Sequence, residues 1–393
     1  MRYDLETIGR STNVLDTDLN SNLHVTAPVG GRFGVNEQMD ARGASDFEQI
    51  TAQAPCRADL AGSTLDLWPL YLFHPGAVTI NFAVNIMASC CIRVHDSECI
   101  RLISEDTGRE DRFANLDQLC RARQYRHALA SRLVRFFKPQ VGFTLTTKCG
   151  APVGAGLAGS SAMMIAVCGA LCKLVGRDMP LEQMRLTAQN LEAQVMHVPT
   201  GCQDYYPALY GGLNAIHLEV DGVAREPLAI APSEIDDRFV LVYTGAPRKS
   251  GINNWEVFKA YVSADKKVVK NCDHIAEISK AMYAALRKPD WSEVARLLRE
   301  EWKFRRSNYS NISTPLVDKL MAVAVKTGSR AAKVCGAGGG GCLVLMVKDG
   351  AKERVSQAMR MNGGQVLPVS LMPTGLSVQS TPALHTATLV ANA

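Results

Sequence analysis

The sequence predicts an α+β protein built from two domains. The chain has 393 residues, which is more than a single hydrophobic core usually supports. Hydrophobic residues make up 47% and charged residues 21%, so the chain is globular rather than disordered throughout. Strand-like and helical patterns occupy both halves, and a polar stretch with several prolines, residues 221–237, lies between them. We therefore expect a polar N-terminal extension (1–48), an N-terminal domain (49–230), a C-terminal domain (231–372) and a loose C-terminal tail (373–393).

The first half carries apolar runs, some of them alternating with polar residues, that are typical of strands. These runs predict strands at 53–60, 77–94, 99–104, 142–148 and 213–218. Segments with helical periodicity predict helices at 116–137, 160–174 and 181–196.

The second half opens with a predicted strand at 238–243, which is rich in apolar and β-branched residues. Helical patterns follow at 254–287, 291–308 and 315–327. Pro315 comes directly after Ser313 and Thr314, as expected for the first residue of a helix. A strand, a Gly-rich turn and a second strand are predicted over 331–347, followed by a helix at 352–361 and a strand at 365–371. Mixed elements of this kind suggest an α+β two-layer domain.

The segment 152–162, Pro-Val-Gly-Ala-Gly-Leu-Ala-Gly-Ser-Ser-Ala, joins a strand-like run to an apolar helix. Its glycines let the backbone approach an anion without obstruction by a Cβ atom. Ser160 and Ser161 open the helix, whose first N–H groups are free and carry partial positive charge. The turn is therefore predicted to bind the phosphates of a nucleotide. The residues predicted to bind them are Pro152, Gly154, Ala155, Gly156, Leu157, Ala158, Gly159, Ser160 and Ser161.

Other kinds of site use similar turns. The segment contains Gly-x-Gly-x-x-Gly, but a dinucleotide-binding unit needs a second strand that ends in an acidic residue about 20 positions on. Residues 178–194 instead have a helical pattern. A Walker loop is excluded because the chain has no Gly-x-x-x-x-Gly-Lys-Ser/Thr. A Gly-rich turn with Ser160 as a helix N-cap and no ligand stays open as an alternative.

Two further segments accompany this turn. Residues 54–66 have the sequence Ala-Pro-Cys-Arg-Ala-Asp-Leu-Ala-Gly-Ser-Thr-Leu-Asp, and residues 333–342 have Lys-Val-Cys-Gly-Ala-Gly-Gly-Gly-Gly-Cys. In this order and spacing, the three segments resemble the signature motifs of the GHMP kinases, the family of galactokinase, homoserine kinase, mevalonate kinase and phosphomevalonate kinase. The similarity extends over residues 50–372 and is nearest to sugar kinases such as heptose 7-phosphate kinases. It implies an N-terminal domain like domain 2 of ribosomal protein S5, a ferredoxin-like C-terminal domain, and ATP and Mg²⁺ as cofactors.

The resemblance also implies roles for particular residues. Ser160 would help to hold Mg²⁺ and the β- and γ-phosphates, and Glu192 would complete the metal site. Asp204, after Gly201-Cys-Gln, would accept the proton of the substrate hydroxyl. Arg57 would keep that carboxylate ionised and counter charge in the transition state. Outside this context, Glu192 would be a solvated helix residue, Asp204 a loop residue bonded to backbone N–H groups, and Arg57 a surface strand residue.

The substrate-binding residues implied by the resemblance are Asp66, Gly338 and Gly339. Asp66 matches the acidic residue that contacts sugar hydroxyls in galactokinase-like members, whereas kinases of the isoprenoid pathway lack an Asp at that place. The Gly-rich loop is too small for acid or base chemistry, so we expect it to pack closely against phosphates and substrate. Lys333 lies at the end of a predicted strand, where a lysine either reaches a phosphate or, as is usual, is only solvated.

Two departures from the family pattern bear on substrate and activity. Ser63-Thr64 occupy the place of Glu-His in galactokinase, which disfavours galactose itself. Ala158-Gly159 occupy a place where the family often has Gly-Ser or Ser-Ser, so one hydroxyl is lost. The resemblance implies an ATP- and Mg²⁺-dependent kinase that acts on a sugar or sugar phosphate. A mevalonate-type kinase and a catalytically silent nucleotide- or sugar-binding protein on the same fold stay open as alternatives.

Composition restricts the partners and the location. The net charge of +5 is modest and dispersed, so nucleic-acid binding is not expected. The longest apolar run, residues 162–172, is too short to cross a bilayer, so no membrane partner is expected. The N-terminus lacks the pattern of a secretory signal, and the 12 cysteines show no zinc-binding spacing. We therefore expect a cytoplasmic protein with a small-molecule partner, and formation of a homodimer stays open.

Overall fold

The structure is a computed structural model that describes residues 47–247 and 252–382. The strands of the first half are β1 (Phe47–Ala61), β2 (Ala77–His95), β3 (Ile100–Ser104), β4 (Arg109–Phe113), β5 (Gly142–Cys149), β6 (Leu213–Glu219) and β7 (Gly222–Leu228). Its helices are α1 (Leu116–Arg121), α2 (Ala128–Phe137), α3 (Gly159–Leu174), α4 (Leu181–Met196), α5 (Tyr205–Tyr210) and α6 (Pro232–Arg238).

The remaining elements follow from residue 239. The strands are β8 (Phe239–Tyr243), β9 (Ser329–Val334), β10 (Cys342–Val347), β11 (Gln365–Leu367) and β12 (Ser377–Pro382). The helices are α7 (Ile252–Val262), α8 (Lys266–Arg287), α9 (Trp291–Ser307), α10 (Pro315–Thr327) and α11 (Lys352–Met361). Strands and helices are mixed in both halves, so the predicted α+β class is confirmed.

The larger sheet is built around β1 and β2, because both are long and largely apolar strands. They pair antiparallel, with Ile50 opposite Ile92 and Arg57 opposite Ala83. The first part of β2 also pairs with β6, and its last part pairs with β5. The order along the sheet is β12-β1-β2-β5-β3-β4, with β6 attached to β2 and β7 to β6. Residues 54–61 of β1 are buried on both faces, so Arg57 lies in the protein interior.

The smaller sheet has the antiparallel order β11-β8-β10-β9. Every residue of β8 and β10 is buried, because these two strands occupy the middle of the sheet. β9 ends at Val334 and β10 begins at Cys342, so the Gly-rich loop lies at one end of this hairpin.

Helix α3 positions the predicted phosphate turn. Most of its residues are apolar and buried, and the helix packs against β1 and β2. A Cβ atom at Gly169 would lie 3.0 Å from the side chains of Leu376 and Val378, so this glycine gives β12 room beside the helix. Because the turn connects β5 directly to α3, packing of the helix on the sheet places the turn next to β1.

Two predicted helices are each broken in two. The helix predicted at 116–137 is α1 and α2, because Asp111 accepts the N–H of His127 at 2.7 Å and holds the connection in a non-helical path. The helix predicted at 254–287 is two helices, α7 and α8. The side chain of Asp265 accepts the N–H groups of Lys267 and Val268, so a new helix begins there. The helix predicted at 315–327 has the expected limits and begins with a proline.

Segments expected to be irregular contain further elements. The polar stretch 221–237 forms β7 and most of α6, and the division of the chain at residue 230 stays a prediction. The expected loose tail from residue 373 is wrong as far as 382, because β12 pairs with β1. Residues 383–393 lie outside the described residues. Residues 1–46 of the predicted N-terminal extension also lie outside the described residues. The last two residues of that extension, 47 and 48, belong to β1.

Candidate active site

The turn between β5 and α3 has the backbone that its composition predicts. Gly154, Gly156 and Ala158 have φ angles of 72°, 80° and 59°, in the left-handed region. Ala158 is the N-cap of α3 and makes no side-chain capping bond. The helix begins at Gly159, so the alternative in which Ser160 is its N-cap is wrong. Ser160 is exposed in the first turn of α3, where N–H groups have no partner within the helix.

Three carbonyl oxygens of this turn are bonded to the rest of the protein. Arg57 donates its backbone N–H to the oxygen of Leu157 at 2.9 Å and its Nη1 to the oxygen of Gly156 at 2.7 Å. Cys342 donates its N–H to the oxygen of Ala155 at 2.7 Å. These three carbonyl oxygens are therefore bonded to protein groups and are not free to repel an anion. The first turn of α3 offers free N–H groups and the positive end of the helix dipole, as a phosphate-binding turn requires, and binding of phosphate stays a prediction.

Glu192 is buried on α4 against the first turn of α3. Its Oε2 accepts the hydroxyl of Ser161 at 3.0 Å and that of Tyr205 at 2.6 Å. Burial raises the pKa of Glu192, and hydroxyl groups that include Ser160 partly offset this rise. The alternative in which Glu192 is a solvated helix residue is therefore wrong. The structure brings Ser160 and Glu192 together, and it adds Tyr205, which sequence reasoning did not single out.

Asp204 and Arg57 form an ion pair next to the predicted phosphate turn, the turn between β5 and α3. Arg57 donates Nε and Nη2 to Oδ1 of Asp204, at 2.9 and 2.7 Å. The Asp204 side chain is 27% exposed, and its Oδ2 has no hydrogen-bond partner among the described residues. Asp204 makes no capping bond to α5, so the alternative of a loop residue bonded to backbone N–H groups is wrong. Arg57 is buried, and the alternative of a surface strand residue is wrong as well.

Asp66 lies buried close to Asp204. Its Oδ2 accepts the backbone N–H of Gln203 at 3.1 Å, and its Oδ1 accepts Nε2 of the same residue at 3.3 Å. Burial, and then the nearby Asp204 carboxylate, raise the pKa of Asp66 to about 6. A Cβ atom at Gly201 would lie 2.0 Å from Oδ2 of Asp66, so only glycine leaves room for this carboxylate. The predicted contact of Asp66 with substrate stays a prediction.

The Gly-rich loop packs tightly against the protein backbone. Gly338 and Gly339 have φ angles of 76° and 84°. A Cβ atom at Gly338 would lie 2.6 Å from the oxygen of Ile312, and one at Gly339 would lie 2.9 Å from Nδ2 of Asn253. The neighbours that require glycine at these two places therefore belong to the protein itself. Contact of the loop with substrate stays a prediction.

The expectation that Lys333 is solvated is wrong. Its side chain is fully buried, and Nζ lies 2.8 Å from Oδ2 of Asp59 and 3.1 Å from Oε1 of Glu301. Asp59 was not identified from the sequence either. A signal was present, because residues two apart on a strand share a face and Arg57 and Asp59 are both charged within an apolar strand. Ser63, at one departure from the galactokinase pattern, donates its hydroxyl to Asp59 at 2.5 Å.

Two absences are found in the part of the chain that the structure describes. No group of three or more His, Cys, Asp or Glu side chains is placed to hold a metal ion. No helix is both long enough and apolar enough to span a bilayer.

Two family models match this chain. The model for the GHMP kinases N terminal domain matches residues 125–212, and the model for the GHMP kinases C terminal matches residues 282–364. The chain belongs to the GHMP kinases. The family implied by the three sequence motifs is thereby confirmed, and the described fold is that of its N- and C-terminal domains.

Relatives within the family differ in the substrates that they are named for. The chain is 25% identical over 337 residues to D-glycero-alpha-D-manno-heptose 7-phosphate kinase of Campylobacter jejuni, covering 84% of this chain and 98% of that protein. It is 26% identical over 245 residues to mevalonate kinase of Pyrococcus furiosus, covering 62% of this chain and 70% of that protein. Among solved structures, a D-glycero-D-manno-heptose 1-phosphate kinase from Bacteroides thetaiotaomicron superposes with a TM-score of 0.70 at 23% identity, over 85% of this chain and 100% of that one.

Proposed function

We propose that this GHMP kinase transfers the γ-phosphoryl group of ATP to a hydroxyl group of a sugar or sugar phosphate. The observation that carries the proposal is that Arg57 contacts both the phosphate turn, at Gly156, and the carboxylate of Asp204. One guanidinium group therefore fixes a carboxylate beside the turn in which the phosphates would lie. Phosphoryl transfer requires positioning and charge compensation more than covalent chemistry, and this arrangement supplies both.

Asp204 is the proposed general base. Arg57 occupies Oδ1 of the carboxylate, and Oδ2 is left to accept a proton. As the oxygen of the substrate hydroxyl bonds to the γ-phosphorus atom, its proton passes to Oδ2 of Asp204. The bond between the γ-phosphorus and the oxygen that bridges it to the β-phosphate breaks, and ADP leaves. Arg57 holds the carboxylate in place by its two hydrogen bonds, and its positive charge compensates negative charge that develops on the phosphoryl group.

Ser160 and Glu192 are the proposed ligands of Mg²⁺. This ion prefers oxygen ligands and commonly combines one or two carboxylates with phosphate oxygens and water. The exposed Ser160 hydroxyl and the Glu192 carboxylate meet at the N-terminus of α3, and these donors fit such an ion. When bound, Mg²⁺ would neutralise charge on the β- and γ-phosphates. Ser161 and Tyr205 hold the Glu192 carboxylate in place by donating to its Oε2.

A heptose or hexose phosphate is the proposed substrate, in preference to free galactose. The Campylobacter jejuni relative is a heptose 7-phosphate kinase, and this chain covers 98% of its length. Asp66 lies close enough to Asp204 for the two carboxylates to interact. Carboxylate oxygens accept more than one hydrogen bond each, so Asp66 retains capacity for substrate hydroxyls beside its bonds to Gln203.

A screen for ADP release tests the proposal. Purified protein with MgATP would be offered heptose 7-phosphate, hexose phosphates, free hexoses, mevalonate and homoserine. We expect turnover with a sugar phosphate and none with mevalonate or homoserine. Turnover of mevalonate would instead support the mevalonate-type alternative, for which the Pyrococcus furiosus relative is the argument. Binding of MgADP without turnover of any acceptor would indicate a silent binding protein.

A further inference from the structure

Charged side chains of alternating sign form a continuous series through the protein interior. In order they are Asp204, Arg57, Asp59, Lys333, Glu301 and Arg305. The shortest distances between successive partners are 2.7, 3.5, 2.8, 3.1 and 3.5 Å. Apart from Asp204, every member is at most 3% exposed. Three negative and three positive groups leave no net charge, which is the condition under which such groups tolerate burial.

The carboxylate of Asp59 contacts residues from several different segments of the chain. Its Oδ1 accepts the N–H of Gly336 at 2.8 Å and lies 3.5 Å from Nη1 of Arg57. Its Oδ2 accepts the hydroxyl of Ser63 at 2.5 Å and Nζ of Lys333 at 2.8 Å. Burial on its own would raise the pKa of Asp59, but the charges of Lys333 and Arg57 hold the pKa well below its usual range. Asp59 is therefore an ionised carboxylate in the interior.

Gly336 connects this series to the phosphate turn. Its N–H donates to Asp59, and its carbonyl oxygen accepts Nη2 of Arg305 at 2.6 Å. Gly336 begins the Gly-rich loop, and Cys342, just after that loop, donates to the oxygen of Ala155 in the phosphate turn. The loop is therefore held at its start by the charged series and at its end by the turn.

We propose that Asp59 is a positioning residue for phosphoryl transfer, and that Lys333 is the counter-ion that allows it to remain ionised. The inference rests on the proposed kinase function. Arg57 presents Nε and Nη2 to the proposed base, while its third nitrogen, Nη1, faces Asp59 and the oxygen of Gly156. Asp59 thus fixes the edge of the guanidinium that faces away from the base. It acts through Arg57 and Gly336 and does not itself contact the reacting atoms.

Two variants separate this role from a merely structural one. Asp59→Asn keeps the shape and an acceptor for the Gly336 N–H but leaves Lys333 with one fewer anion. Asp59→Asn combined with Lys333→Met removes one charge of each sign, so the remaining groups of the series again sum to zero. Each variant would be compared with the wild type in melting temperature, affinity for MgADP, and kcat and KM with heptose 7-phosphate.

We expect Asp59→Asn to melt several degrees lower and to lose roughly 10- to 100-fold in kcat, the scale of a disturbed positioning group. The double variant should recover most of the melting temperature, because the unpaired lysine is gone. Its kcat should stay low while KM for ATP changes less than threefold. Recovery of both melting temperature and kcat in the double variant would overturn the proposal, because Asp59 would then only neutralise Lys333.

If either variant fails to fold, Ser63→Ala takes its place, since it removes only the hydroxyl that orients Oδ2 of Asp59. It should lower kcat by about 2- to 5-fold and the melting temperature by a few degrees, because it removes one buried hydrogen bond to a charged acceptor, and an unchanged kcat would overturn the proposal. Failure of the proposed function is a separate result. It would appear as wild-type protein that binds MgADP but phosphorylates no sugar phosphate.

Discussion

Asp66 should lower the stability of the folded protein at neutral pH. The carboxylate is buried, and its pKa is raised from the ordinary 3.8 to about 6. A rise of this size corresponds to about 3 kcal/mol, by which the ionised form destabilises the folded state. Between about pH 4 and 6, folded protein retains a proton that unfolded protein has lost, so stability falls as the pH rises through this range. The destabilisation of the folded state by ionised Asp66 is complete above about pH 6 and absent below about pH 4.

Asp66→Asn replaces the carboxylate by a group of the same shape that never ionises. The amide of Gln203 suits this change, because its Oε1 is buried without a partner among the described residues. Rotating that amide by 180° would let Oε1 accept a hydrogen bond from the new side-chain amide. The variant should therefore exceed the wild type in stability by about 3 kcal/mol at pH 8, which corresponds to about 3–5 °C in melting temperature for a chain of this length. At pH 4 the two proteins should melt alike.

Thermal melting of both proteins at intervals between pH 4 and 8 measures the difference. Asp349→Asn, at an exposed turn, is the control and should follow the wild type at every pH. The same substitution at Asp66 should raise KM for a sugar phosphate by roughly 10- to 1,000-fold, because it weakens hydrogen bonds to a charged acceptor. Higher stability together with weaker substrate binding is the expected pattern for a functional residue. A pH-independent difference, or a less stable variant at pH 8, would refute the burial argument.

Further expectations concern the base, the metal ligands and a glycine. Asp204→Asn should lower kcat by roughly 10²- to 10⁴-fold with little change in MgADP affinity, and wild-type turnover would exclude Asp204 as the base. Ser160→Ala and Glu192→Ala should each raise the Mg²⁺ concentration needed for half-maximal activity, and an unchanged Mg²⁺ titration would contradict their assignment. Gly201→Ala should lower stability by about 2–5 kcal/mol because its Cβ would overlap Asp66. Gly150→Ala is its control, because an added Cβ there meets no atom closer than 3.4 Å, and equal melting of the two would refute the steric argument.

The backbones of the turn between β5 and α3 and of the Gly-rich loop were predictable because their requirements are local. A backbone with positive φ favours glycine at particular places. Within each segment the glycines are close in sequence: Gly154 and Gly156 in the turn, and Gly338 and Gly339 in the loop. The apolar pattern of α3 likewise predicts a helix within one residue of its observed start at Gly159. Motifs of this kind, in a fixed order, identified the family before any contact between them was known.

Several elements depend on more distant partners, and the sequence pattern did not predict them. β12 has mostly exposed polar residues and becomes a strand because the edge of β1 is available for pairing. The break between α1 and α2 depends on Asp111, which precedes the broken helix and bonds to its middle. In each case the deciding interaction joins residues whose proximity follows from the folded arrangement of the sheet.

The same reason explains what remained unseen in the site. Arg57 and Asp204 were identified by motif, but their contact joins residues 147 positions apart. Asp59 and Lys333 are 274 positions apart, and neither residue is distinguished in the sequence from a charged residue on the solvent side of a strand. Whether a charged side chain is solvated or buried depends on whether a group of opposite charge reaches it, and packing of the two sheets decides that. The backbone conformation of a turn can therefore be predicted from consecutive residues. Which buried charges pair with each other is decided by the tertiary structure alone.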